Sequence, residues 1–189
     1  FGESERILRV NLVGTEEFKK DKQLASELEV DGILFSLIET VEQLQEAEKA
    51  LMEVNPNLTM MVMIETPLAI LNSPDICASS SKLEVVVVGS NNLANRLQID
   101  IRRGSKAMFN YLARIALSAK AYGKTVIDGP HYDVHDEFAC EASTKDAFNL
   151  GFDGKALIHP IQAEYINDIF TPKQKEVQEY EEMIAKYEE

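Results

Sequence analysis

Short runs of consecutive apolar residues alternate along the chain with longer segments whose apolar positions recur every three or four residues. The runs are ILRVNLV from Ile7, GILFSLI from Gly32, LTMMVMIE from Leu58, LEVVVVGS from Leu83, KTVIDG from Lys124 and KALIHP from Lys155. They are apolar on successive rather than alternate positions and rich in Val and Ile, the pattern of strands covered on both faces of a parallel sheet. Helices must lie between them. Thr15 ahead of Glu16 and Glu17 predicts an N-cap and an acidic first turn, and Thr40 opens the amphipathic TVEQLQEAEKALMEV. A long predicted helix runs through AMFNYLARIALSAKAY, where Leu112, Ile115 and Ala119 give a narrow apolar face and Gly123 stops it. Residues 173–189 predict a charged terminal helix. The result is an α/β chain of six strand–helix units. Strand count alone leaves open a closed barrel, which takes eight strands, and an open doubly wound sheet. With no internal repeat and no low-complexity linker, residues 1–189 read as a single domain.

Composition narrows the function classes. The 189 residues are 45% hydrophobic, enough for one sizeable core and too few for two ordinary domains. Against 32 acidic side chains stand 19 Lys and Arg, and the net charge of −13 repels a polyanion, so a nucleic-acid partner is not expected. No apolar run approaches the roughly 20 residues of a membrane span, and the start FGESERILRV lacks the basic end and apolar core of a signal peptide. Cys77 and Cys140 are far apart without ligand spacing, which fits a reducing cytoplasm or an organelle matrix. The glycine-rich turn of a dinucleotide-binding domain is missing.

In a parallel α/β architecture the functional residues sit at the C-terminal ends of the strands. Those ends are polar here: Arg9 and Asn11, Glu39, Glu65, Asn91 and Asn92, Asp128 and His159. Each also has an ordinary structural role open to it. Arg9 can pair with a neighbouring acid at the rim, Glu65 can cap the turn begun by Thr66 and Pro67, and His159 can be a buried imidazole bonded to a backbone carbonyl. His131 and His135 stand four apart, but no third ligand follows at a known spacing, so a zinc site has little support.

Five of these segments carry a resemblance. RVN at 9–11, MIETP at 63–67, VVGSNNLA at 87–94, IDGPHYD at 127–133 and GFDGKALIHPIQ at 151–162 resemble, in order and spacing, successive strand motifs of the citrate lyase beta-subunit and malyl-CoA lyase family, which is HpcH/HpaI aldolase-like. The resemblance spans the chain from Arg9 through the FTP at 170–172. It implies a (β/α)8 TIM barrel of the pyruvate/phosphoenolpyruvate-utilising type. It also implies a magnesium-dependent enzyme that breaks or forms a carbon–carbon bond beside a CoA thioester, with citryl-CoA, malyl-CoA or citramalyl-CoA as substrate and acetyl-CoA released. Thioester hydrolysis of the same substrates is a close variant. A homo-oligomer, trimer or hexamer, is implied as well.

Carried over residue by residue, the resemblance makes Arg9 a catalytic, substrate-binding residue whose fork of donors suits a carboxylate or enolate oxygen. It makes Glu65 and the residue at 92 the magnesium ligands. Asp128 is placed at the mouth, either as a substrate contact or as a residue that orients a loop. The family pattern has an aspartate where this chain has Asn92, so one formal charge is lost and a weaker magnesium affinity is expected. It also has a Pro-Lys pair where Ser36 and Leu37 stand, so a cation that would steady an anionic substrate is absent. The resemblance covers strands three to eight only: the first two β/α units and the C-terminal lid, with its aspartate, have no counterpart. The expectation is a partial barrel, either a piece of a longer chain or a reduced relative completed by a partner. With Asn92, Leu37 and the absent lid, a non-catalytic member that binds a CoA ester is the competing class.

Overall fold

The computed structural model describes residues 4–100 and 106–188; residues 1–3, 101–105 and 189 lie outside that description. Strands β1 (Ile7–Val10), β2 (Gly32–Phe35), β3 (Thr59–Ile64), β4 (Leu83–Val88), β5 (Thr125–Asp128) and β6 (Gly154–Lys155) form one sheet. They stand in sequence order, and each neighbouring pair is parallel. A doubly wound sheet reverses its strand order at a switch point. No reversal occurs here, so the succession is that of a (β/α) barrel, open between β1 and β6 among the described residues.

The predicted helices form and their signals act as read. Helix α1 (Glu16–Glu27) starts on Thr15, whose hydroxyl accepts the Phe18 N–H. Helix α2 (Val41–Val54) starts on a reciprocal capping box between Thr40 and Gln43 that satisfies two otherwise orphaned N–H groups. Short helices α3 (Pro67–Leu71) and α4 (Ser73–Ala78) follow β3, and α5 (Ser90–Leu97) follows β4. Helix α6 (Lys106–Ala121) buries Ile115, Ala116 and Ala119 and gives way to Gly123 at φ +65°. Then come α7 (Glu137–Asn149), α8 (Ala163–Phe170) and α9 (Gln174–Glu188). Among the described residues no helix is long and apolar enough to cross a membrane.

The core runs along one face of the sheet. Val10, Phe35, Val62, Val86 and Val126 are register partners across five consecutive strands, and all are buried in a single apolar cluster with Leu44, Ile76, Leu93 and Ile115 of the helices. Side chains alternate along a strand, so the next row, Arg9, Leu34, Met61 and Val85, faces the other way. On that second face the residues two positions further on, Ser36, Met63 and Val87, lead up to the strand ends and the candidate site.

One predicted strand is cut short. KALIHP pairs only through its first residue, Lys155, which with Gly154 makes up the edge strand β6. Ala156 still donates to the Asp128 carbonyl, but Ile158 N–H then turns to the Gln162 side chain, and Pro160–Gln162 forms a 3-10 turn. Leu157 and Ile158 are left exposed.

Candidate active site at the strand ends

Glu65 is the centre of the cluster. It follows β3, is fully buried, and sits where Gly89 lets the backbone approach: a Cβ on Gly89 would lie 2.4 Å from Glu65 Cβ and 2.8 Å from its Oε2. Each carboxylate oxygen accepts a hydrogen bond. Oε1 takes the Leu37 N–H at 2.9 Å, and Oε2 takes Asn92 Nδ2 at 2.6 Å. Arg9 Nη2 stands 3.6 Å from Oε2.

Arg9 is aimed from behind. Its Nε donates to the Oγ of buried Ser36 at 3.0 Å, while its side chain stays 54% exposed, so the outer donors of the guanidinium remain open to a ligand. Ser36 and Leu37 thus contribute to the site at the positions where the sequence showed only a missing Pro-Lys pair. Leu37 does so at φ +58°, a left-handed conformation that costs a bulky residue roughly 1–2 kcal/mol. The strain presents its N–H to Glu65. A side-chain inventory could not find this donor, since it belongs to the backbone.

Arg9, Glu65 and Asn92, the sequence-derived site residues, therefore meet. Asp128 does not join them. It shares its face with Val126, against the helices, and is 3% exposed. One of its oxygens accepts the Gly129 N–H at 2.8 Å, and the other pairs with Lys155, its register partner on β6. Both side chains of that ion pair are about 5% exposed or less. This arrangement matches the loop-orienting alternative for Asp128. Gly129 in turn packs on Ser90, where a Cβ would meet Ser90 Oγ at 2.4 Å.

His131 lies in the same loop with its Nε2 shielded and without a hydrogen bond. Burial pushes its imidazole below the ordinary value, the nearby Lys155 ammonium adds to that, and Asp136 and Asp133 oppose it. His159 is exposed rather than buried, and its Nδ1 accepts the Ile161 N–H to cap the 3-10 turn. Glu39 lies past the end of β2, its backbone tied by Gln43 and Asn72.

The residues present do not fit a resident divalent cation. Among the described residues no three His, Cys, Asp or Glu side chains converge. Magnesium wants hard oxygens, at least one of them anionic and free to face it. Glu65 supplies the charge, but Arg9 offsets it, and Asn92 presents a donor to Oε2 instead of an oxygen to a metal.

Comparison with known proteins places the chain. The model of the HpcH/HpaI aldolase/citrate lyase family matches residues 2–160. A (3S)-malyl-CoA thioesterase of Cereibacter sphaeroides is 35% identical over all 189 residues, which span 65% of that relative's length. RipC from Yersinia pestis superposes with a TM-score of 0.84 at 26% identity, over 92% of this chain and 80% of its own. The Mycobacterium tuberculosis citrate lyase beta subunit, solved with oxaloacetate and magnesium, shares the fold at a TM-score of 0.75 and 21% identity, over 88% of this chain and 73% of its own. With the family model matched over most of its length, the chain belongs to the HpcH/HpaI aldolase/citrate lyase family.

Proposed function

We propose that this protein acts on a CoA ester whose acyl group carries a free carboxylate, such as malyl-CoA, citryl-CoA or citramalyl-CoA, as a carbon–carbon lyase or a thioesterase. The observation that supports it is Arg9: a guanidinium held at Nε by Ser36, steadied by Glu65, with its remaining donors open. A planar fork of this kind matches a carboxylate or a developing oxyanion. Both reactions put negative charge on a substrate oxygen, as enolate in cleavage and as tetrahedral oxyanion in hydrolysis, and a preoriented cation stabilises either. Glu65 keeps the guanidinium in place without competing for its outer face, and Asn92 and Leu37 hold Glu65.

The experiment is product analysis. Full-length protein is given the three thioesters; acetyl-CoA release marks the lyase, free CoA the thioesterase, and neither product marks a binding module. Arg9→Ala is expected to lower turnover at least ~100-fold, the scale of losing one oxyanion donor, with an unchanged circular dichroism spectrum. Arg9→Lys, which keeps the charge and loses the Ser36-oriented fork, should recover only part. Unchanged kinetics in Arg9→Ala would remove Arg9 from the mechanism. The same proposal includes a homo-oligomer: Val177, Tyr180, Ile184 and Tyr187 recur at three-and-four spacing on α9 and are exposed.

A further inference from the structure

We propose that this centre is built for an acyl group with a single free carboxylate and that Leu37 sets that limit, so that malyl-CoA and citramalyl-CoA are accepted and citryl-CoA is rejected. The inference rests on the functional reading above and narrows its substrate. The three thioesters differ in one substituent on the carbinol carbon: hydrogen in malyl, methyl in citramalyl and carboxymethyl in citryl. Together they ask whether the site can balance a second negative charge.

The donors of Arg9 give a first answer. A guanidinium presents two forks of parallel N–H groups, one along Nε and Nη2 and one along Nη1 and Nη2. Arg9 turns the first inward. Its Nε donates to Ser36 Oγ at 3.0 Å, and its Nη2 faces Glu65 Oε2 at 3.6 Å. Ser36 is buried and stands directly after β2, so the inner edge of the guanidinium is fixed by the sheet. The second fork is left for a ligand, and one fork grips one carboxylate.

Charge gives the same count. Arg9 and Glu65 sum to zero, and Asn92, which donates to Oε2 at 2.6 Å, adds nothing. Arg9 is the one cation paired to this cluster among the described residues. A first carboxylate is offset by its outer fork. A second would enter the same mouth beside fully buried Glu65 without a cation of its own, and like charges brought together out of water repel. Residue 37 is where a further cation could stand. Its N–H meets Glu65 Oε1 at 2.9 Å, which fixes its backbone beside that carboxylate, and its φ of +58° is the conformation that brings it there. The half-buried side chain carried at that point is a leucine, which offers a carboxymethyl group neither charge nor donor. The selection is therefore made by what residue 37 withholds from the wrong substrate.

The test is turnover of the three thioesters by full-length protein, followed as total thioester loss so that cleavage and hydrolysis both register. Dissociation constants from calorimetry give the same comparison where nothing is consumed. Citramalyl-CoA should lie within about tenfold of malyl-CoA in kcat/KM, the scale of one buried methyl. Citryl-CoA should fall at least ~100-fold below both, the scale of an unbalanced like charge. Leu37→Lys keeps the N–H to Glu65 and adds a cation, and it should narrow the malyl-to-citryl ratio at least ~10-fold. The uncharged Leu37→Gln should leave the ratio near its native value. A loss of structure lowers all three thioesters together, and the ratio in the native protein stands whether or not a variant folds. Citryl-CoA handled within about tenfold of malyl-CoA by the native protein overturns the inference. So does a ratio that is the same in folded Leu37→Lys and Leu37→Gln. Malyl-CoA turnover or binding that Arg9→Ala leaves unchanged would instead sink the functional reading, and neither turnover nor binding of any of the three would remove both.

Discussion

Replacing Lys155 by Met removes the ammonium from a pair whose two side chains are 4% and 5% exposed. Asp128 keeps the Gly129 N–H on one oxygen, but its other oxygen is left buried and unpartnered. Breaking a buried pair from one side costs about 3–5 kcal/mol, because the remaining charge has neither water nor a counter-ion. Asp128→Asn alone strands the ammonium and should cost a similar amount. In the double variant no charge is buried, and the Asn oxygen can still accept from Gly129. Its loss should fall to about 1–2 kcal/mol, the scale of a net hydrogen bond and imperfect packing. Urea unfolding followed by circular dichroism reads all four proteins, with the m-value as the check that the same surface is exposed. The coupling should be several kcal/mol in favour of the pair. Because Asp128 shares the helix-packed face of Val126, carboxylate binding at Arg9 should be unchanged in variants that are still folded. A loss below about 1 kcal/mol in Lys155→Met would refute the buried-pair argument. Full stability together with lost ligand affinity in Asp128→Asn would return Asp128 to the substrate site.

Gly89→Ala places a methyl 2.4 Å from Glu65 Cβ, with no room on either side, and should cost about 1–3 kcal/mol of stability. It should also weaken carboxylate binding by displacing Glu65 from Arg9; unchanged affinity would show that the Arg9–Glu65 contact is not needed. His131 gives a pH dependence whose sign is set by its depressed imidazole. Above its ordinary value of 6.5 both folded and unfolded forms are neutral; below it the unfolded chain takes a proton that the folded chain refuses, so stability falls as the pH drops toward the folded value. Thermal midpoints measured between pH 7.5 and about 5 should drop less in His131→Gln than in the native protein, and parallel curves would contradict the assignment.

How far the sequence revealed all this depends on which atoms carry the information. Strands β1 to β5 were legible because strands packed between helices are apolar on successive positions, and helices α1 and α2 because Thr15 and Thr40 announce themselves by type and position. The end of β6 was not, since KALIHP has strand character but leaves β5 after Lys155, where the Ile158 N–H turns to the Gln162 side chain. Strand count left barrel and doubly wound sheet open; the family resemblance pointed to the barrel, and the strand order agrees with it. Arg9 and Glu65 were found as charged residues at the ends of apolar strands. The face of Asp128 was readable too: it stands two residues after Val126, on the core side of the strand, and that parity separates it from the Arg9 row. Lys155 gave no signal, because a lysine in a short strand reads as surface until a buried partner is seen.

Position 92 marks the boundary most sharply. From the sequence, an amide in place of a carboxylate is a subtraction: one charge fewer and a weaker pull on a cation. In the structure it is also an addition. Two carboxylates 2.6 Å apart would need a cation or a shared proton between them, whereas Asn92 and Glu65 at that distance form a hydrogen bond that is complete without one. Ser36 and Leu37 act in the same sense, the first by aiming the arginine that neutralises Glu65 and the second by binding its other oxygen. Three departures from the family pattern, each a loss when read singly, therefore converge on one carboxylate and stabilise it without metal. That convergence makes the neutralised carboxylate a property of the whole cluster, and it implies that Asn92→Asp should not by itself build a strong magnesium site, since Leu37 and Arg9 would still hold Glu65 against an incoming metal.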